Sequence, residues 1–109
     1  MFLMGVERIP HPDVSEIDLA NLLATMGDPI RLEMLRQLNE HGEMTCTQLS
    51  DALDLPASTA SYHMRLLREA GAVRTRPNGT KRHMSLRTAE LESRFPGLIG
   101  VLTREPVSA

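Results

Sequence analysis

The hydrophobic period of this chain changes at Gly71, and that change limits the fold more than any other feature. Before Gly71 the apolar residues recur at helical spacing, as in Ile30, Met34, Leu35 and Leu38. After it Val73 and Thr75 alternate with Arg74 and Arg76, the two-residue repeat of a half-buried strand. Pro77-Asn78-Gly79 then signals a hairpin, because Asn and Gly both tolerate the positive φ of a tight turn. The return strand, over about 80–87, alternates Met84 and Leu86 with Lys81, His83 and Ser85. Helices followed by one hairpin predict a mainly α (α+β) chain.

Punctuation divides the helical part. Ser15 followed by Asp18 resembles a capping box and predicts a first helix over about 16–26. Its apolar side is Ile17, Leu22, Leu23 and Met26, and Gly27 ends it. Asp28-Pro29 starts a second helix over about 29–40: Asp28 caps free N–H groups, and Pro29 fits the first position, where no N–H is needed. Gly42 closes it as a left-handed cap. Thr45-Cys46-Thr47-Gln48 is a Thr-x-x-Gln capping box opening a third helix, about 46–53, with Leu49, Ala52 and Leu53 inward. After the break at Asp54-Leu55-Pro56, a fourth helix runs from Ala57 or Ser58 to Ala70. Two short helices joined by such a turn have the layout of a helix-turn-helix. Thr88 caps a final helix, about 89–95, Pro96-Gly97 interrupts it, and Leu98, Ile99, Val101 and Leu102 follow as an apolar segment.

The order is helix, helix, helix-turn-helix, basic hairpin, helix. That is a winged helix-turn-helix with a two-stranded wing. The expected organisation is an irregular N-terminal arm at 1–14, the winged-helix domain at 15–95 and a C-terminal segment at 96–109. A length of 109 residues agrees with one domain. Aromatic residues make up 3 %, so Leu, Met, Ile, Val and Ala must fill the core, which suits small packed helices. One cysteine, Cys46, leaves no intrachain disulfide, and a reducing cytosol is the simplest compartment. The apolar start, Met1 to Val6, stops at Glu7 and is too short for a secretory signal; no apolar run reaches the ~18 residues of a membrane span. A cytoplasmic protein without a membrane partner is expected. With no Gly-rich phosphate loop, nucleophile elbow or ligand triad, the chain does not read as an enzyme.

The net charge of −2 hides a split. Residues 1–56 carry three basic and ten acidic side chains, whereas residues 57–109 carry nine basic and four acidic. Within 62–87 there are seven basic groups, opposed only by Glu69. Such asymmetry points to a polyanion. Projected at 100° per residue, Ala60, Met64 and Leu67 of the fourth helix share the core side. Ser58, Tyr62 and Arg65 fall opposite, flanked by Thr59 and Ser61. Hydroxyls, a phenol and a guanidinium without an acid before Glu69 are donors suited to base edges and phosphates in the major groove of duplex DNA. Arg74, Arg76, Lys81 and Arg82 on the wing would hold phosphates or reach the minor groove. The alternative is a winged-helix interaction module whose basic face docks an acidic protein.

Asp28-Pro29-x-Arg31-Leu32, Leu49-x-x-x-Leu53 and Ser58-Thr59-x-Ser61-x-His63-Met64-x-x-Leu67-Arg68-Glu69-Ala70-Gly71 resemble the ArsR/SmtB family of winged-helix repressors, over about residues 16–95. The resemblance implies a homodimer built on the first and last helices, a pseudo-palindromic operator, and release by an inducer that is often a metal ion. Leu19, Leu22, Leu98 and Leu102 are the expected dimer contacts. The chain departs from the family at its metal sites. Where the family pattern has Cys-x-Cys, this chain has Thr45 and Thr47 with Cys46 between them, and residues 88–103 contain no His, Cys or Asp. No metal, no cofactor and an unidentified inducer are therefore expected; His11, on a mobile arm, is the ligand that could still complete a site. Cys46 reads as a packing residue, since Glu43 opposes the acidifying effect of the helix start. His63 borders the core and His83 points outward.

Overall fold

The computed structural model describes residues 9–104, and the expectations for residues 1–8 and 105–109 lie outside that range. Six helices and three short strands follow one another: α1 (Leu19–Met26), α2 (Pro29–His41), β1 (Met44–Thr45), α3 (Cys46–Ala52), α4 (Ala57–Glu69), β2 (Val73–Asn78), β3 (Lys81–Leu86), α5 (Thr88–Arg94) and α6 (Leu98–Thr103). The strands form one antiparallel sheet in the order β1-β3-β2. The expected two-stranded wing thus gains a third strand. Met44 and Thr45 pair with Met84 and His83, and a two-residue strand is too short to show a period in the sequence.

Local chemistry sets the boundaries. Asp28 accepts hydrogen bonds from the N–H groups of Ile30 (2.8 Å) and Arg31 (3.1 Å), with Pro29 in the first turn of α2. The Thr45–Gln48 box forms in full: Thr45 Oγ1 accepts from Gln48 N–H, and Gln48 Oε1 accepts from Thr45 N–H. The start of α1 differs from expectation. Asp13 and Glu16 make a capping box around a short 3₁₀ turn at Val14–Glu16, and Asp18 is the cap of α1 rather than part of a box with Ser15. In the turn between α3 and α4, Ser50 is buried and its hydroxyl donates to the carbonyl of Leu55 at 2.6 Å, while Leu55 N–H bonds the Ser50 carbonyl. Asp54 takes a φ of 53°, the one positive value of a non-glycine residue among those described.

The wing turn is also one residue later than the Asn-Gly signal suggests. Asn78 pairs with Lys81, so the loop residues are Gly79 and Thr80, with positive φ only at Gly79. That is the pattern of a turn needing Gly at its first position alone. Val73, Thr75 and Met84 face inward as the two-residue repeat predicts. The buried Thr75 hydroxyl donates to the Met84 sulfur at 3.0 Å. The outer edge of β2 is covered by the chain itself, since Thr75 N–H donates to His11 Nε2 at 2.9 Å. His11 is therefore docked on its own wing and is not carried by a mobile arm. Burial and the nearby Arg74 lower its pKa, which keeps the ring neutral and able to accept.

Leu22, Met34, Leu35, Leu49 and Leu67 have no exposed surface and form the centre of a core that every helix enters. Ala60 and Met64 are buried beside Leu67, as the α4 projection requires. Four inward or interface expectations fail. Leu23 and Ala52 are exposed, because only one face of α1 and α3 meets the core. Leu22 and Leu102, expected at a dimer contact, are instead buried in the chain's own core, where α1 and α6 pack. With Ile99 and Leu102 inside, the packing continues past residue 95 without a break. Among the described residues no helix is long and apolar enough to cross a membrane.

Gly71 makes the closest approach. Its φ is +91°, and a Cβ there would lie 2.5 Å from Ile17 Cγ1. Gly71→Ala therefore combines left-handed strain with overpacking and should cost roughly 2–4 kcal/mol in urea unfolding. A loss under ~0.5 kcal/mol, within the spread of an ordinary surface substitution, would show that this junction is not tight.

Candidate nucleic-acid interface

The buried face of α4 leaves Ser58, Ser61, Tyr62 and Arg65 exposed and Thr59 half-exposed, so the five helix candidates share one solvent side. The Arg65 guanidinium lies 5.7 Å from the centre of the Tyr62 ring, within cation–π range. Pro56, at the N-cap, supplies no side-chain bond to the first turn of α4.

His63 fixes how α4 is held. It is buried, and Nδ1 accepts from Arg31 Nη1 at 3.0 Å. Arg31 Nε in turn donates to the carbonyl of Thr25 at 2.5 Å. One guanidinium thus ties the end of α1 and the start of α2 to α4, with Asp28 close by. Burial pushes the Asp28 carboxyl up, but the Arg31 and Ile30 N–H groups and the Arg31 charge bring it below its ordinary value. The packing role anticipated for His63 is present, and Arg31 is its unanticipated partner. With 32 residues between them, nothing in the local pattern joins the two.

The wing cations are not equivalent. Arg74 Nη2 lies 2.6 Å from Glu90, and the half-exposed Arg76 lies 2.7 Å from Glu43. Glu43 also holds His83 Nδ1 at 3.2 Å, and the Arg76 hydrogen bond is the main reason its carboxyl is lowered. Arg87 is no surface cation: it is buried, binds Glu90 through two nitrogens and donates to the Pro12 carbonyl. Arg94 binds the carbonyls of Val14 and Ile17. Folding therefore brings acids from outside 62–87 against the basic stretch and uses two arginines to clamp the N-terminal segment. Lys81 and Arg82, at the wing tip, are exposed and stand across a cleft of about 230 Å³ from Ser61 of α4.

A second surface lies on the opposite helices. Leu19 (40 % exposed), Leu23 (46 %) and Val101 (67 %) line an open apolar groove with Phe95 and Leu98. Leu19 and Leu98, two of the expected dimer contacts, lie on this groove with Leu23 and Val101, whereas Leu22 and Leu102 are buried in the core. Among the described residues no three His, Cys, Asp or Glu side chains converge as a metal site. Cys46 is half-buried, and burial raises its thiol pKa, with Arg82 acting weakly against that.

The family profile described as a helix-turn-helix domain matches residues 26–76. An uncharacterised helix-turn-helix-type transcriptional regulator of Bacillus subtilis is 32 % identical over 84 residues, which span 76 % of this chain and 84 % of the relative. The arsenical resistance operon repressor of Staphylococcus xylosus is 37 % identical over 67 residues, 62 % of each chain. Among solved structures, the homodimeric winged helix-turn-helix DNA-binding domain of a possible ArsR-family regulator from Mycobacterium bovis has the same fold. Its TM-score is 0.67 at 23 % identity, over 83 % of this chain and 82 % of that one.

Glu90 makes a pH test of the wing's attachment. Hydrogen bonds from Arg87 and then Arg74 lower its pKa from 4.5 to about 2. A carboxylate depressed in the folded state stabilises above its unfolded value and loses that contribution as pH falls through its folded one. The stability difference between the parent and Glu90→Gln should therefore be full at pH 6, shrink below pH 4.5 and vanish near pH 2 in urea titrations. A difference that is constant with pH would mean that Glu90 does not hold these arginines as a charge.

Proposed function

Because this chain belongs to the ArsR-type winged helix-turn-helix transcriptional regulators, we propose that it is a homodimeric repressor of a pseudo-palindromic operator, released by an inducer not yet identified. The observation that carries this reading is the exposed face of α4, free of acids from Ser58 to Arg65 and adjoining the cationic wing tip. The first turns of α4 would enter the major groove, with Ser58, Thr59, Ser61, Tyr62 and Arg65 towards base edges and nearby phosphates. Lys81 and Arg82 would hold backbone phosphates from the wing. Arg74 and Arg76 would contribute less than their charge suggests, since each has a carboxylate to leave first.

A regulator with one recognition helix per chain gains specificity by pairing two. The exposed groove of Leu19, Leu23, Phe95, Leu98 and Val101 supports that pairing, because an apolar patch on α1 and α6 is costly in water and self-complementary contact would cover it. Two-fold pairing would set the half-sites about one DNA turn, ~34 Å, apart.

Fluorescence anisotropy with duplex DNA across a salt series tests the first half. Affinity should fall steeply with salt, and Lys81→Ala should weaken binding to all sequences and reduce the log–log slope by about 0.9. Binding without salt dependence would contradict a phosphate-held wing and favour the protein-docking alternative. For the second half, Leu23→Asp with Val101→Asp should give a folded monomer by light scattering and circular dichroism, with weakened operator binding. An unchanged dimer would remove the α1/α6 groove from the interface.

A further inference from the structure

Residues 9–17 form a strap fastened to β2 and α5 by two kinds of bond. Arginines make the first kind. Arg87 Nη1 donates to the Pro12 carbonyl at 2.7 Å, and Arg94 donates to the carbonyls of Val14 and Ile17. A guanidinium donates at any pH a folded protein meets. The second kind is the bond from Thr75 N–H of β2 to His11 Nε2 at 2.9 Å. A ring nitrogen accepts only while it carries no proton, so the neutral ring keeps its N–H on Nδ1. Protonation puts a second N–H on Nε2, facing the N–H of Thr75 donor to donor.

The surroundings of the ring oppose that proton. Arg74 comes from β2, Arg68 from α4 and Arg87 from the start of α5. Arg68 Nε is buried without a hydrogen-bond partner among the described residues. The acids of these elements are engaged or turned to solvent. Glu90 of α5 binds Arg74 and Arg87, Asp13 of the strap accepts from Ser15, and Glu69 of α4 is exposed. We propose that His11 is a proton-operated latch: the neutral ring fastens residues 9–12 to the outer edge of β2, and the imidazolium releases them. The hinge is Asp13, because the Arg94 bonds and the Asp13–Glu16 capping box do not involve the ring. Burial and then Arg74 lower the ring's pKa, against a backbone contact with Ile9, so the latch is closed at neutral pH and opens in acid. Its contribution is full above the ordinary value of 6.5 and is lost as pH falls through the folded-state value. Glu90, held at about 2, stays charged throughout, so the base of the wing keeps its arginine pairs while the strap moves.

The experiment follows the ring and amide signals of the labelled full-length chain from pH 8 to pH 5, beside His11→Gln and His11→Lys. Gln offers a neutral acceptor at the reach of Nε2, and Lys a cation that accepts nothing. In the parent the Thr75 amide should move with the His11 ring, at a midpoint below ~6.5, and residues 9–12 should gain mobility as it does. His11→Gln should hold the Thr75 amide fixed over the whole range. His11→Lys should show the acid form already at pH 8. Its Thr75 amide should exchange roughly 5–10-fold faster than in His11→Gln at the same pH, the size of one lost hydrogen bond. The amides of buried Leu35 and Leu67 serve as the reference for an intact core. If His11→Lys does not fold, the parent and His11→Gln still decide the matter. The same Thr75 titration in His11→Gln would assign the proton to another group, such as His83 of β3, and overturn the latch. A His11 ring that titrates while Thr75 and residues 9–12 stay fixed would overturn it as well.

Discussion

The burial of one side of α4 is the constraint on which the rest depends. Ala60, Met64 and Leu67 are held in the core, and a helix that buries residues at this spacing must present Ser58, Ser61, Tyr62 and Arg65 to solvent. Hydrophobic burial supplies the energy, on the order of 2 kcal/mol for each large side chain removed from water. Direction comes from polar contacts. The Ser50–Leu55 bonds set the turn before α4, and the Arg31–His63 bond pins its buried edge to α1 and α2. A surface that must meet a groove within a few tenths of an ångström needs both.

What was legible in the sequence was local. Caps at Asp28 and Thr45, the helical spacing of α2 and α4 and the alternation at Val73–Arg76 are all written within four or five residues of each other. So was the solvent face of α4, which follows from period alone. The misses share one property, which is dependence on distant residues. Strand β1 exists because Met44 and Thr45 find β3, some forty residues later. Leu102 looks like a surplus apolar residue until α6 is packed, after which it is core. His11 looks like a free ligand until the edge of β2 needs an acceptor.

Charge shows the same limit most clearly. Counted along the chain, the second half is strongly basic; counted in space, several of those arginines are structural. Arg87 and Arg94 hold the N-terminal segment, while Arg74 and Arg76 face Glu90 and Glu43. Lys81 and Arg82 are exposed at the wing tip and Arg65 on the outer side of α4. Exposed pairs of this kind contribute little to stability. Their effect here is geometric: they fix the wing's base to α5 and to the residue before β1, so that its tip stands at a set place relative to α4.

The central claim is that the outer face of α4 and the wing tip form one surface for duplex DNA. Backbone amide spectra of the ¹⁵N-labelled chain, recorded while duplex is added, test this most directly. The account predicts shifts concentrated at residues 57–65 and 78–82, with the α1/α6 groove unmoved. Shifts centred on Leu19, Leu23 and Val101, with α4 unaffected, would contradict it.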